Sequence, residues 1–157
     1  MGSFATELSA RAGARVIAVT RADSADRVRG LGAADVIDYA SGDLAAQIRA
    51  MAPGGVDAII DLHSDRDTLL GLVSTVKRGG RVASPLNAVD AAALAELGLT
   101  GSNVNAATER VGELGDLVES RDLHVPLTRT FALRDTNEAL VEQATHQSRG
   151  KLVIVID

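Results

Sequence analysis

The first residues of the chain could bind a phosphorylated ligand. Gly2 and Ser3 open an apolar helical pattern that ends at Gly13, and an apolar strand over Arg15 to Thr20 follows directly. The N–H groups at the start of a helix are free to bind a pyrophosphate, and a glycine there lets the helix approach a strand closely. The alternative is a disordered first turn, because we expect the preceding strand, with the first two glycines of a G-x-G-x-x-G pattern, to be missing.

Thr20 and Arg21 come just past that strand, where an acidic residue would pair with the ribose hydroxyls of NAD. A guanidinium binds a phosphate through two parallel hydrogen bonds. If a dinucleotide binds at all, this pair therefore favours the 2′-phosphate of NADP. The alternative is a solvated arginine that pairs with Asp23.

The histidines do not form a metal site by their spacing. His63, His124 and His146 are far apart, and the chain has no cysteine to complete a zinc site or to act as a nucleophile. We place His124 and His146 on the surface. His63 could serve as a general acid or a hydrogen-bond donor, although a lone histidine is more often structural.

Three aspartates follow or flank a predicted buried strand. Asp61, Asp65 and Asp67 could suggest an acidic pocket, but a solvated loop and a helix N-cap explain them better. We therefore assign no acid–base pair to them.

Helices and strands alternate along the whole chain. Glycines and a proline separate short apolar runs, and Ser24 is expected to cap the second helix. Strands separated by helices of about ten residues predict a doubly wound α/β fold, with helices on both faces of a mostly parallel sheet. Strands are predicted over Arg15 to Thr20, Asp35 to Asp38, Val56 to Asp61, Arg81 to Ser84, Leu99 to Val104, Val125 to Phe131 and Leu152 to Ile156, and helices over Phe4 to Ala12, Ser24 to Leu31, Leu44 to Met51, Asp67 to Val76, Val89 to Leu97 and Asp135 to Thr145.

Two of the helices carry more detailed expectations. Lys77 and Arg78 favour the negative C-terminal end of the helix that begins at Asp67, and Gly79-Gly80 should turn the chain into the next strand. A longer amphipathic helix is expected before residue 120, with inward positions at Val111, Leu114, Leu117 and Val118.

Composition limits the class of protein. The chain has 157 residues, of which 46% are hydrophobic, and this size suits one globular domain with a buried core. A net charge of −5 without a basic stretch argues against nucleic acid and anionic membranes as partners. The sequence shows no signal peptide or long apolar span, so we expect a soluble cytoplasmic protein.

Several local motifs follow one another in the order found in one family. They are Gly2-Ser3-Phe4-Ala5, Gly13-Ala14-Arg15-Val16-Ile17-Ala18, Leu31-Gly32-Ala33-Ala34-Asp35-Val36-Ile37-Asp38-Tyr39, Gly55-Val56-Asp57-Ala58-Ile59-Ile60-Asp61, Lys77-Arg78-Gly79-Gly80-Arg81-Val82 and Arg149-Gly150-Lys151-Leu152-Val153-Ile154. Together they resemble the cofactor half of the medium-chain dehydrogenase/reductases, with the closest resemblance to the zinc-free, quinone oxidoreductase-like branch. The resemblance spans nearly the whole chain and implies a Rossmann-like sheet that lacks the usual first strand.

The resemblance also implies an organisation and an activity. It implies a single Rossmann-like cofactor-binding domain over 1–157, with a core at 1–124 and a segment at 125–157 that packs on the catalytic domain in relatives. It implies NADP(H) as cofactor and hydride transfer to a carbonyl, an enone or a quinone. The small-molecule substrate would be bound mostly by the catalytic domain, which is missing here. A homodimer that pairs through the strand near Leu99 to Val104 is implied as well.

Further cofactor contacts are implied by position. Tyr39 stands where relatives pack a tyrosine beside the adenine, and it could equally be a half-buried edge residue. Ser84 and Pro85 would contact the nicotinamide, although a plain loop explains them almost as well. Leu62 and His63 lie in the same crevice, where the chain departs from the Asp, small residue, Val or Thr, Gly pattern of the family. The predicted cofactor-binding residues are Gly2, Ser3, Thr20, Arg21, Tyr39, Leu62, His63, Ser84 and Pro85, with no catalytic residue and no metal.

A second class of function stays open at this point. The chain could be a non-catalytic oligomerisation or regulatory module with a degenerate Rossmann core. A missing central strand would leave strands at Val16 to Val19 and Ala58 to Ile60 with unpaired edges. These strands could close up on each other, a second chain could fill the gap, or the sheet could rearrange.

Overall fold

The computed structural model describes residues 1–105, 111–120, 123–145 and 150–156, so His146 and Arg149 lie outside the described residues. Helices and parallel strands alternate along the chain, and the predicted α/β class is confirmed. The helices are α1 (Gly2–Arg11), α2 (Ala25–Gly30), α3 (Leu44–Met51), α4 (Arg66–Leu72), α5 (Ala91–Glu96), α6 (Val111–Glu119) and α7 (Thr136–Ala144), and the strands are β1 (Val16–Thr20), β2 (Ala33–Asp38), β3 (Val56–Ile60), β4 (Val76–Ser84), β5 (Thr100–Asn103), β6 (Leu127–Ala132) and β7 (Lys151–Val155).

The chain forms two compact units, residues 1–108 and 109–157. The boundary between them precedes the division at residue 124 that the sequence suggests, and the single-domain organisation stays a prediction. None of the described helices is both long and apolar enough to span a bilayer.

In the first unit, β1 and β2 form a parallel pair. Ala18, Val28 and Ala33 are buried together between this pair and α2. Gly32 makes the tight connection from α2 to β2 with a φ of +96°, and a Cβ at this position would lie 2.6 Å from the Cβ of Ala10. A glycine is therefore needed where α1 and the turn before β2 come together.

The larger core of this unit lies around β4, which is flanked by β3 and β5 in a parallel three-stranded sheet. Each fully buried aliphatic side chain stabilises the fold by about 1.5–3 kcal/mol, so this cluster is the main source of stability in the unit. Its buried members are Leu69, Val73, Val82, Ala88, Val89, Leu94 and Leu99.

The sheet of the first unit is divided between β1 and β3. Among the described residues, β1 pairs only with β2, and β3 pairs only with β4. The two strands have therefore not closed up on each other. Val19 and Ile60, near the ends of these strands, are 44% and 54% exposed. An open edge of this kind can accept a further strand.

The start of β4 differs from the prediction. Lys77 and Arg78 lie within the strand rather than at a helix end. Gly79 has a φ of +80°, and the pairing with β3 jumps from Val76 to Arg81, so the predicted bend is present as a bulge inside β4. Close packing requires a glycine at position 80, since a Cβ there would lie 2.4 Å from Val76 Cγ1 and 2.7 Å from the Asp57 oxygen. Gly80 therefore allows β4 to approach β3, whereas Gly79 has open space around it and provides the left-handed backbone.

The predicted cap at Ser24 is also wrong. Its hydroxyl donates to Asp23 Oδ1 at 3.2 Å and makes no capping bond to α2. A 3₁₀ turn over Ala22–Ser24 runs straight into the helix, with Ser24 at φ −105° and ψ 0°. A capping serine needs an extended backbone, which this turn does not provide.

The second unit contains α6, α7 and the parallel pair β6–β7. Helix α7 packs on this pair, in which Phe131 is buried. Of the predicted inward positions of α6, Leu117 is partly buried, whereas Val111, Leu114 and Val118 are 59%, 47% and 40% exposed. The prediction is wrong for these three because α7, rather than α6, packs on the strands of this unit.

Candidate cofactor-binding site

The predicted site residues lie at the ends of parallel strands and at the start of α1. Arg21 and Tyr39 follow β1 and β2, while Leu62 and Pro85 follow β3 and β4. In open α/β sheets, ligands bind outside the carboxyl ends of the strands. All of these residues belong to the first compact unit.

The first turn of α1 connects the two parts of this site. Ser3 accepts a hydrogen bond on its hydroxyl from Arg27 Nη1 of α2 at 2.9 Å. On its other side, a Cβ built on Gly2 would lie 3.9 Å from Leu62 Cδ1, in ordinary contact with the loop after β3. The start of α1 therefore lies beside both α2 and the end of β3.

The start of α1 is suited to an anion. Gly2 is exposed, no acidic residue lies in the first turn, and no side chain caps the helix at Met1. The free N–H groups and the positive end of the helix dipole would favour a phosphate there. The residues present therefore fit the pyrophosphate of a dinucleotide.

Arg21 is exposed at the end of β1 and Thr20 beside it is half-buried. Arg21 has an extended backbone, and its carbonyl accepts from the Ser24 amide at 3.0 Å, so the turn holds the position of its Cα. Within the described part of the chain, Arg21 makes no ion pair, and the alternative pairing with Asp23 is not found. The guanidinium is therefore available to an anionic ligand.

Tyr39 is 50% exposed in a 3₁₀ turn over Tyr39–Ser41. Asp38 Oδ1 accepts from the Ala40 amide at 3.0 Å and fixes this turn directly after β2. The exposed ring could pack on a flat ligand, and its role beside an adenine stays a prediction.

The loops after β3 and β4 are joined by buried hydrogen bonds. Ser84 is fully buried, and its hydroxyl donates to Asp61 Oδ2 at 3.2 Å while accepting from the Leu86 amide at 3.1 Å. Asp61 Oδ1 accepts from the Ser64 amide at 3.1 Å. The Ser84 side chain is thus engaged inside the protein, whereas His63 and Pro85 are exposed on the two loops.

Sequence reasoning missed the role of Asp61. We expected a solvated loop, but Asp61 is only 8% exposed. The expected N-cap is present at Asp65, whose Oδ1 accepts from the Thr68 amide at 2.8 Å and starts α4. A signal for Asp61 was its place directly after the apolar pair Ile59 and Ile60. The strand itself is not buried as predicted, since none of the residues of β3 is fully buried and Ile60 is 54% exposed.

Metal binding has no visible basis in the described ranges. There, no group of three or more His, Cys, Asp or Glu side chains comes together in a way that could hold a metal ion. His63 and His124 are both exposed.

Comparison with known proteins assigns the chain to a family. The profile of the zinc-binding dehydrogenases matches residues 31–154, and the chain belongs to this family. It is 27% identical to the mitochondrial NAD(P)H oxidoreductase RTN4IP1 of Bos taurus over 98% of its own length and 45% of that protein. The chain thus spans about half the length of the curated relative that it matches.

Solved structures show the same fold. The quinone oxidoreductase of Coxiella burnetii superposes with a TM-score of 0.77 at 25% identity, over 98% of this chain and 49% of that one. The Escherichia coli quinone oxidoreductase complexed with NADPH superposes with a TM-score of 0.79 at 22% identity, over 99% and 53% of the two chains. The predicted relationship to quinone oxidoreductase-like medium-chain dehydrogenase/reductases is confirmed.

Proposed function

We propose that this chain is the NADP(H)-binding portion of a quinone oxidoreductase-like medium-chain reductase. The observation that carries the proposal is Arg21, an exposed guanidinium without an ion pair among the described residues, at the end of β1 where NAD-binding proteins place a carboxylate. The family membership supports a nicotinamide nucleotide as cofactor.

Each part of the site has a role in binding. The first turn of α1 offers N–H groups from Gly2 and Ser3 to the pyrophosphate. Arg21, with the Thr20 hydroxyl beside it, binds the 2′-phosphate, and Tyr39 packs against the adenine. The loops that carry Leu62, His63 and Pro85 face the nicotinamide, with Ser84 behind them.

The nicotinamide, when bound, supplies the hydride for a carbonyl, an enone or a quinone. The chain's own residues bind the cofactor, orient it and shield one side of it from water. The relatives are about twice as long as this chain, and the walls that select the small-molecule substrate would be supplied by a catalytic domain such as theirs, so no catalytic residue is assigned here. We further propose a homodimer. A cytoplasmic location stays a prediction, and the Bos taurus relative is mitochondrial.

Titration with NADPH and with NADH tests the proposal. The intrinsic fluorescence of each reduced cofactor is followed as the chain is added, and circular dichroism shows that the chain is folded. We expect binding of both cofactors, with NADPH tighter. A folded chain that binds neither cofactor would reject the proposal for this chain.

A further inference from the structure

Two exposed loops at the proposed cofactor site share one buried attachment. Residues 62–64 are held through the Ser64 amide by Asp61 Oδ1, and the loop after β4 is held through Ser84, whose hydroxyl donates to Asp61 Oδ2. The Asp61 amide itself donates to the Ala83 oxygen at 2.8 Å, which extends the pairing of β3 with β4. One carboxylate therefore connects the carboxyl ends of both strands.

The loop after β4 is fixed at its other end as well. Asn103 accepts from the Val89 amide and donates to the Val89 oxygen, each at 2.9 Å. Between the two attachments, Asn87 adopts a left-handed backbone with a φ of +60°, which asparagine tolerates better than most residues. Pro85, Leu86 and Asn87 are exposed in this fixed conformation.

We infer that Asp61 is a positioning residue of the cofactor-binding site, an inference that rests on the proposed function. Its carboxylate holds the loops at 62–64 and 85–87 in one arrangement before a ligand binds. A loop that is already ordered loses less conformational entropy on binding, so the attachment improves affinity without touching the cofactor.

The hydrogen bonds depend on one another. The Ser84 hydroxyl donates a hydrogen bond to Asp61 and accepts one from the Leu86 amide, so each bond polarises the next in a buried setting. Removing the carboxylate would leave the Ser84 hydroxyl and the Ser64 amide without their acceptor inside the protein. Both loops should then loosen together, although they are not adjacent in sequence.

Amide hydrogen exchange on the cofactor-free chain tests the attachment directly. In Asp61→Ala we expect about tenfold faster exchange at the amides of both Ser64 and Leu86, since an acceptor in the network is lost. Ser84→Ala should accelerate exchange at Leu86 by the same order. The Ile37 amide, in the buried part of β2, reports global unfolding, and the acceleration at Ser64 and Leu86 should exceed any change there.

Conservative variants serve as controls for this experiment. Asp61→Asn keeps an oxygen that accepts from the Ser64 amide, so this amide should stay protected from exchange. Ser64→Ala removes the side chain but keeps the backbone N–H donor, so the amide at position 64 should stay protected as well. Unchanged exchange at Leu86 in both Ser84→Ala and Asp61→Ala would overturn the inference.

Cofactor titration of the same variants separates this inference from the proposed function. Asp61→Ala should lower the affinities for NADPH and NADH severalfold and by the same factor, because Arg21 rather than Asp61 discriminates between the two cofactors. If the loops loosen but affinity stays constant, Asp61 is structural only and the inference fails. If the unaltered folded chain binds neither cofactor, the proposed function fails, and the role of the attachment in cofactor binding fails with it.

Discussion

Arg27 of α2 donates a hydrogen bond from Nη1 to the hydroxyl of Ser3 in the first turn of α1, over 2.9 Å. The contact joins the proposed pyrophosphate position to the helix that follows the proposed 2′-phosphate position. Since both side chains are at the surface, we expect it to orient the turn more than to stabilise the unit.

A double-mutant cycle measures this contact. Ser3→Ala, Arg27→Ala and the double variant are compared by urea denaturation, and the coupling between them should be about 0.5–1 kcal/mol of unfolding free energy. The cycle removes the contribution of other contacts that Arg27 makes. Strictly additive effects would show that the two side chains do not interact.

Gly80 should be the least replaceable glycine in β4. In Gly80→Ala the new methyl would meet Val76 Cγ1 at 2.4 Å and the Asp57 oxygen at 2.7 Å. We expect a loss of about 1–3 kcal/mol in unfolding free energy, since the strands must move apart. Denaturant midpoints measure this loss.

The matched control is Gly71→Ala in α4, where no heavy atom lies within 4 Å of the added Cβ. This substitution should stabilise the chain by up to about 1 kcal/mol through helix propensity. Equal effects of the two substitutions would contradict the packing seen between β3 and β4.

Asp65 makes the stability of α4 dependent on pH. The hydrogen bond from the Thr68 backbone amide holds the pKa of the Asp65 carboxyl below its ordinary value of 3.8. A lowered folded-state pKa means that this stabilisation is present above about pH 4 and is lost as the pH falls through the folded-state value. Unfolding free energies of the natural chain and Asp65→Ala should therefore differ most near neutral pH and converge in acid.

Asp65→Ser provides the control for charge. Serine offers a neutral acceptor to the same amide, so its advantage over Asp65→Ala should not change over the acidic range. A difference between the natural chain and Asp65→Ala that grows on acidification would have the wrong sign for this account.

The proposed homodimer predicts twice the mass of one chain and an interface at the edge of β5. Strand β5 pairs only with β4 in the part of the chain that the structure describes, and Val104 just after it is 51% exposed. A lysine at a strand edge opposes edge-to-edge pairing, so Val104→Lys should convert a dimer into a monomer. Multi-angle light scattering gives the masses.

Leu97→Lys is the control for this surface, since Leu97 is similarly exposed at 57% but lies at the end of α5. It should leave the dimer intact. A monomer mass for the unaltered chain would reject the proposed dimer.

Local signals were enough to predict much of the fold. The helix at Leu44–Met51 has the predicted bounds, because Asp43 caps it and Pro53 follows its end. The alternation of helices with parallel strands was predicted from apolar runs separated by glycines. The predicted site residues from Gly2 to Pro85 do lie at helix starts and strand ends, although their contacts with a cofactor stay predictions.

The errors arose where tertiary packing outweighed local signals. Gly79-Gly80 does bend the backbone as predicted, but as a bulge inside β4 rather than as a turn before it, and Gly80 packs against β3 there. The attachment of Asp61 to Ser84 joins residues that are distant in sequence, and only the pairing of β3 with β4 brings them together. The exposed face of α6 depends on which helix packs on β6 and β7, which periodicity does not encode.

The ratio of NADPH to NADH affinity in Arg21→Ala tests the central claim most directly. Loss of a charge-assisted hydrogen bond to the 2′-phosphate should lower the affinity for NADPH about 10- to 100-fold and leave the affinity for NADH nearly unchanged. Arg29→Ala is the control, because it removes an exposed arginine that pairs with Asp26 within α2. It should leave the ratio of NADPH to NADH affinity unchanged. A ratio that stays the same in Arg21→Ala would contradict the account.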